Sequence, residues 1–383
     1  MKKNLLFING HMKAGGCERS LTDILKHIDY SLYSVDLLLI EDLGEYVTEL
    51  PKDVHIIFYD TKKAFGRFYK CVFSAFKQRD WFSIKYRINN IICIRFGPDK
   101  IKYLANSFDQ VKPNYDAIIA YRPGTCTDLA AFAFSAKTKL TWWHHGEYYD
   151  FGCIIPSYQI MDKIVAVSES SAKIVREHYG SVRDKIVVIP NMICDFELQR
   201  KANEFNVYVP EKLIIISVGR FSPEKNMVLC PKIAKELTNN HIDYLWYMIG
   251  DGQQFEEVRS LAEEYGVSES FIFTGVQSNP YPFIKNANIM LHPSLVESQG
   301  ISVLEAMTLE TPVIAVESLG IKEYIVDGEN GFIVQPNFYR IANLIKTISN
   351  NKELLTKVAR NAKETIKDFS PEKTINELYS LIN

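Results

Sequence analysis

Short apolar runs rich in β-branched residues alternate with amphipathic stretches along almost the whole chain. In the first half, the runs at Leu5–Asn9, Val35–Ile40, Val54–Tyr59, Ala117–Tyr121, Lys139–Trp143, Lys163–Val167 and Lys185–Ile189 read as strands. Amphipathic helices fit between most of them, among them Cys17–His27, Thr127–Ala136 and Ser170–His178. A polar stretch, Asp195–Pro210, interrupts the pattern. It then starts afresh, with strands at Leu213–Val218, Tyr244–Ile249, Phe271–Phe273, Ile289–Leu291, Val313–Val316 and Gly331–Val334. Buried strands that alternate with helices specify parallel sheets covered on both faces. Two such sets predict an α/β protein of two doubly wound, Rossmann-like domains. The irregular spacing and the mid-chain break speak against a single eight-repeat barrel. The expected boundaries are a first domain over 1–195, a linker over 196–210, a second domain over 211–368 and a last helix over 369–383, with Ser370 as N-cap and Pro371 at its first position.

Composition narrows the function classes. The 383 residues are 47% hydrophobic and 12% aromatic, which excludes wholesale disorder, and a formal charge of −2 argues against a dedicated nucleic-acid binder. No apolar run approaches the roughly 18–20 residues of a membrane span. The opening Met1–Gly10 resembles a signal peptide only superficially, because its apolar run is short and no small-residue cleavage site follows. Seven scattered cysteines without a Cys-x-x-Cys pair favour reduced thiols over a disulfide framework or a cysteine zinc site. A cytoplasmic protein is the expectation.

In doubly wound sheets, ligands bind where loops leave the C-terminal ends of strands. The first such loop of the second half runs Gly219-Arg220-Phe221-Ser222-Pro223-Glu224-Lys225-Asn226. Gly219 lets the backbone leave the sheet tightly, while Arg220 and Lys225 place two cations beside a helix start, a pairing suited to a diphosphate. A solvated loop with two ordinary surface charges explains it equally well. Gly250-Asp251-Gly252 lacks the third glycine of a dinucleotide fingerprint and reads as a turn. The loop His292–Ile301 is more informative, because a helix opens around Gly300 and its leading amides form an anion-binding end. Glu297 precedes that helix at a position from which it could contact a sugar. Glu305 lies five residues past Gly300, where a carboxylate could accept from a ribose diol. Taken singly, Glu297 reads more readily as favourable helix-dipole chemistry and Glu305 as a solvated helix residue.

The ordered set of segments is more specific than any one of them. Glu297 and Glu305 with seven residues between, preceded by Gly219-Arg220 and Glu224-Lys225-Asn226, resemble the retaining family 4 glycosyltransferases of GT-B fold. Further matching segments are Val188-Ile189-Pro190-Asn191, Phe273-Thr274-Gly275 and Gly328-Glu329-Asn330-Gly331-Phe332. The resemblance implies two Rossmann-like domains facing across a cleft, with the last helix returning to the first domain. It implies that Arg220 and Lys225 bind the donor diphosphate and that Glu305 holds the ribose. Glu297 and the Ser298-Gln299-Gly300-Ile301 backbone would face the transferred sugar and distal phosphate, and Gly275 and Val276 the base. Many relatives carry Gly-Phe where this chain has Ser298-Gln299, a change that keeps Gly300 and makes the pocket edge more polar.

In the first half, Asn9–Arg19 follows the first strand and opens a helix. Its paired glycines permit close approach to a ligand, although no P-loop Gly-Lys-Ser/Thr follows. By resemblance, Gly15 and Gly16 face the donor diphosphate. His144 and His145 end a strand and would point to opposite faces, with no third metal ligand evident. The resemblance assigns His145 to the sugar and leaves His144 structural or acceptor-side. Ser168 fits both the family's loop and an ordinary helix N-cap. The segment 62–102 carries eleven Lys/Arg against two acids, interleaved with nine Phe, Tyr and Trp residues. That mixture suits an anionic lipid surface, while a solvated helix pair with core aromatics is the plainer account.

The resemblance implies a metal-independent, retaining hexosyltransferase. It would use a nucleotide-diphosphate sugar, UDP-linked, as co-substrate, without any other cofactor, and by resemblance alone its acceptor is a lipid-linked or growing cell-surface oligosaccharide. It would act at the inner face of the cell membrane, in capsule, lipopolysaccharide or related synthesis. A UDP-sugar epimerase of the same double fold and a non-catalytic sugar-nucleotide-binding scaffold are the alternatives. An NAD-dependent oxidoreductase lacks the full glycine fingerprint.

Overall fold

The computed structural model describes residues 2–64, 68–148, 154–208 and 210–383. The chain divides into two compact units, one made of Met1–Met192 and Pro371–Asn383 and the other of Ile193–Ser370. Each is built around one wholly parallel sheet.

The first unit contains β1 (Lys3–Asn9), β2 (Tyr33–Leu39), β3 (Val54–Phe58), β4 (Asn114–Ala120), β5 (Ser135–Trp143), β6 (Lys163–Ala166) and β7 (Ile186–Val188). They lie in the order β3-β2-β1-β4-β5-β6-β7, with Leu5 in register with Val35 on one side and Ala117 on the other. Strands covered on both faces need apolar residues at every position, and Leu5, Leu6, Phe7 and Ile8 are all fully buried. Leu5 and Phe7 face a core shared with Leu21, Ile24 and Leu25 of the Gly16–His27 helix. Leu6 and Ile8 face the opposite layer, which includes Tyr86, Leu104 and Phe108. The chain's last helix, Pro371–Ile382, contributes Ile375, Leu378 and Ile382 to the first of these cores, and Tyr379 stacks on Tyr33 at 4.9 Å.

The second unit contains β8 (Leu213–Val218), β9 (Tyr244–Ile249), β10 (Phe271–Gly275), β11 (Ile289–His292), β12 (Val313–Val316) and β13 (Phe332–Val334), in the order β10-β9-β8-β11-β12-β13. This is the doubly wound pattern: the chain builds outward from β8 in one direction and then resumes on the other side at β11. Both units therefore match the expected fold class.

Two local expectations are corrected. A helix was expected over Thr127–Ala136. The chain instead forms a short helical turn, Thr125–Asp128, then a π turn, Leu129–Ala133, and is already strand by Ser135. The Lys139 ammonium donates to the carbonyls of Ala131 and Phe134, both at 2.8 Å, satisfying groups that helix continuation would otherwise pair. The segment expected as a polar linker begins with a helix, Asp195–Lys201, belonging to the second unit. Its acids lie in the first turn and its bases in the last, matching the helix dipole, and Leu198 anchors it in the core.

Candidate active site

In the second unit the order of strands reverses between β8 and β11, and the loops leaving these two neighbours are tied together. Leu295 N donates to Glu224 O at 2.9 Å, and Asn226 Nδ2 donates to Pro293 O at 3.3 Å. Between these ties lies a cluster of three titratable side chains. The Lys225 ammonium reaches Glu297 Oε1 at 2.5 Å, and His292 Nε2 reaches the same oxygen at 2.7 Å. Glu297 and His292 are both buried. Burial works to raise the Glu297 carboxyl, but Lys225 and His292 overcome it and hold the group well below its ordinary range. Arg220 is exposed and forms no salt bridge among the described residues. Lys225, expected as a diphosphate ligand, is here the partner of Glu297.

Gly300 caps the Ile301–Thr308 helix at φ 75° and ψ 64°, a left-handed conformation that an L side chain resists. No side chain caps this helix start. Glu305 lies in the second turn, 7% exposed, and accepts a hydrogen bond from Tyr281 Oη at 2.8 Å. Ser298 and Ile301 are half-buried. Gln299 is almost wholly buried, and its carbonyl accepts from Tyr324 Oη at 2.6 Å. The expected polar change at the pocket edge is therefore, for Gln299, an interior one. Gly219, Gly250 and Gly275 form a row across the C-terminal ends of β8, β9 and β10, joined by Gly219 N to Ile249 O at 3.0 Å and Gly250 N to Gly275 O at 2.9 Å. A Cβ at Gly250 would sit 1.9 Å from the Gly219 carbonyl oxygen, so this close approach excludes any larger residue. Val276, just beyond, is 59% exposed.

The first unit reverses its strand order between β1 and β4. The loop after β1 carries His11 and Gly15 and opens into a helix at Gly16, and the loop after β4 carries Arg122. Arg122 pairs with the buried Glu18 carboxylate at 2.7 Å, and its Nη1 lies 3.2 Å from His11 Nε2. Gly15 is the N-cap residue of the Gly16–His27 helix, without a side-chain cap. His145 follows β5. Its carbonyl accepts from Trp143 Nε1 and from Ser171 Oγ, each at 3.0 Å. Ser168 accepts from Ser171 N and so acts as a helix N-cap. Burial, reinforced by Arg122, lowers the His145 pKa to about 4, and burial with His145 and Arg122 lowers His144 to about 3. Both rings are neutral at physiological pH, which suits hydrogen bonding to hydroxyls rather than ion pairing.

Lys225 and Glu297 are thus joined, with Gly300 and Glu305 following in the same loop and helix. Gly15, Gly16 and His145 belong to the other unit. His292, Tyr281 and Arg122 were not singled out from the sequence. Only their bonds reveal them, although His292 stands at a strand end in the loop the sequence marks as informative. Among the described residues, no group of three His, Cys, Asp or Glu side chains is placed to hold a metal ion.

Comparisons place these observations. The family "Glycosyltransferase Family 4" matches residues 14–194, and "Glycosyl transferases group 1" matches residues 199–365. An uncharacterized glycosyltransferase of Methanocaldococcus jannaschii is 24% identical over 59% of this chain and 64% of its own length. The lipopolysaccharide core biosynthesis glycosyltransferase LpsE of Rhizobium meliloti is 29% identical over 43% of this chain and 48% of its own. The chain thus spans about half to two thirds of these curated relatives. A mutant of S. aureus TarM, crystallised with Fondaparinux, alpha-GlcNAc-glycerol and UDP, superposes with a TM-score of 0.75 at 14% identity, covering 100% of both chains. The two family matches together take in most of both units, and the chain belongs to the group 1, family 4 glycosyltransferases of GT-B fold.

Proposed function

We propose that this glycosyltransferase moves a sugar, with retention at the anomeric carbon, from a UDP-sugar to a hydroxyl of a lipid-linked or growing cell-surface oligosaccharide. The observation that carries the donor site is the convergence of Lys225, His292 and Glu297 at the β8/β11 strand reversal, with the uncapped Gly300 helix start beside it. The UDP in the TarM complex supports the choice of nucleotide, and the lipopolysaccharide role of LpsE supports the acceptor class.

In this reading, Arg220, Lys225 and the amides at Ser298–Ile301 receive the negative charge that grows on the diphosphate as its bond to the anomeric carbon breaks. The family resemblance alone assigns Gly15 and Gly16, at the uncapped start of the Gly16–His27 helix, to a donor phosphate. Glu305, steadied by Tyr281, accepts from the ribose hydroxyls, while Gly275 and Val276 border the base. Glu297 orients the sugar through its hydroxyls, and the family resemblance alone gives neutral His145 a sugar-contacting role. The acceptor oxygen attacks the face the diphosphate leaves, and its proton passes to a departing phosphate oxygen. No step calls for a metal ion.

The basic segment supplies the acceptor-side surface. Its helices Phe68–Lys77 and Trp81–Phe96 expose Phe73, Phe76, Trp81, Ile88, Ile91, Ile94 and Phe96, while Phe82 and Tyr86 pack inward. Trp81, Lys85, Ile88, Ile91 and Arg95 recur at spacings that share one helix face. Such a face favours the anionic, inner surface of a cell membrane. Phe65, Phe68 and Tyr69, also counted in this segment, lie outside the residues whose side chains are described. No helix among the described residues is long and apolar enough to cross a membrane.

Incubation with a panel of UDP-sugars, with UDP release followed and the product's anomeric configuration read by NMR, tests this proposal. Acceptor-stimulated release with retained configuration is expected. Binding without turnover would instead make the protein a scaffold, and inversion would overturn the stereochemical assignment.

A further inference from the structure

His292 is 2% exposed and ends β11, where Ile289, Met290 and Leu291 are all apolar and buried. Burying an imidazole among such neighbours is costly unless its polar atoms are satisfied. Among the described residues its Nδ1 has no hydrogen-bond partner, and its Nε2 bonds to Glu297 Oε1 at 2.7 Å. An aliphatic residue would fill the same position without that cost, so the ring's contribution is the proton it gives to Glu297.

Lys225 is held differently. Its side chain keeps 26% of its surface exposed and leaves from the last residue of a single 3-10 turn, Pro223–Lys225, whereas His292 ends a buried strand. The same ammonium that meets Glu297 is, in the proposed function, a ligand of the donor's diphosphate. A diphosphate that draws it away would leave the buried carboxylate with one partner. Both existing bonds fall on Oε1, so Oε2 is the oxygen left to accept from a sugar hydroxyl.

We propose that His292 is a positioning residue for sugar transfer, holding the Glu297 carboxylate in place while Lys225 turns to the donor's diphosphate. The inference deepens the transferase reading and rests on it.

The test compares steady-state kinetics and UDP binding by calorimetry for His292→Leu, which removes the donor, and His292→Gln, whose terminal amide can still give a proton. His292→Leu is expected to lower kcat by about tenfold to a hundredfold through misplacement of the carboxylate. KM for the donor and UDP affinity should stay within about threefold, the mark of a loss confined to the transition state. His292→Gln should recover most of kcat. In a Glu297→Gln background, His292→Leu should cost less than about a further twofold, because the two residues act as one unit. Should His292→Leu fail to fold, His292→Asn, whose amide stops short of Glu297, takes its place with the same expectation. Wild-type kcat in His292→Leu or His292→Asn, an equal loss of UDP affinity, or full additivity with Glu297→Gln overturns the proposal. A wild-type protein that neither binds UDP nor releases it from any UDP-sugar would instead overturn the transferase reading, and this inference with it.

Discussion

Two protons, from Lys225 and His292, meet on one oxygen of Glu297, and the consequence for stability has a definite sign. The folded carboxyl lies well below 4.5, so as pH falls the unfolded chain takes up its proton first. The site's contribution is complete above about pH 4.5 and is lost as acid titrates through the depressed folded value. Urea midpoints measured from pH 7 down to pH 3 should therefore fall more steeply for the wild type than for Glu297→Gln. Parallel curves would show that the ion pair has no weight in folding. A second expectation concerns Glu305, whose bond from Tyr281 fixes the carboxylate. Glu305→Gln should weaken UDP binding by about 1–3 kcal/mol, the range for losing hydrogen bonds to a charged group, and Tyr281→Phe by less, as read by calorimetry. His145, neutral down to about pH 4, should contribute no inflection to the pH–rate profile between pH 5 and 8.

Elements show where sequence reading works and where it stops. Each strand was legible because strands covered on both faces must be apolar throughout, and runs such as Leu213–Val218 have no other reading. The Thr127–Ala136 helix was misjudged because Lys139, distant in the pattern, takes over the carbonyls that would have continued it. The Asp195–Lys201 helix hid among charges because its order depends on one buried leucine and on Lys201 pairing with Glu197 at 3.8 Å. In the site, the spacing of Glu297 and Glu305 was visible. The bond from His292 was not, because it depends on how the intervening loop folds back onto β11. Two substitutions probe the elements. Gly250→Ala drives a methyl into the Gly219 carbonyl and should cost more than about 3 kcal/mol in chemical denaturation, since backbone cannot yield as a side chain does. Leu378→Ala empties a fully buried position beneath the first sheet and should cost about 2–5 kcal/mol.

For the molecule as a whole, the charge is unevenly spread: a chain of net −2 concentrates eleven cations against two acids within residues 62–102. Sedimentation with vesicles containing anionic lipid should therefore show binding that weakens as salt rises, each nearby cation adding about 1 kcal/mol. Replacing Trp81, Ile88 and Ile91 together with serine should reduce what remains at high salt. Binding that ignores both salt and these substitutions would count against lipid attachment by this face. The path of the backbone has its own consequence. The first unit is completed only by Pro371–Asn383, so the second unit is a cassette spliced into it. Its entry and exit lie side by side, with Ile193 N donating to Phe369 O at 2.8 Å. A protease nick in the first crossing would leave residues 1–192 held to the rest through the packing of Pro371–Asn383, which stays covalently attached to the second unit. The adjacent ends also make residues 193–370 a natural module for excision or transplantation, with the Lys225, His292 and Glu297 cluster carried along intact.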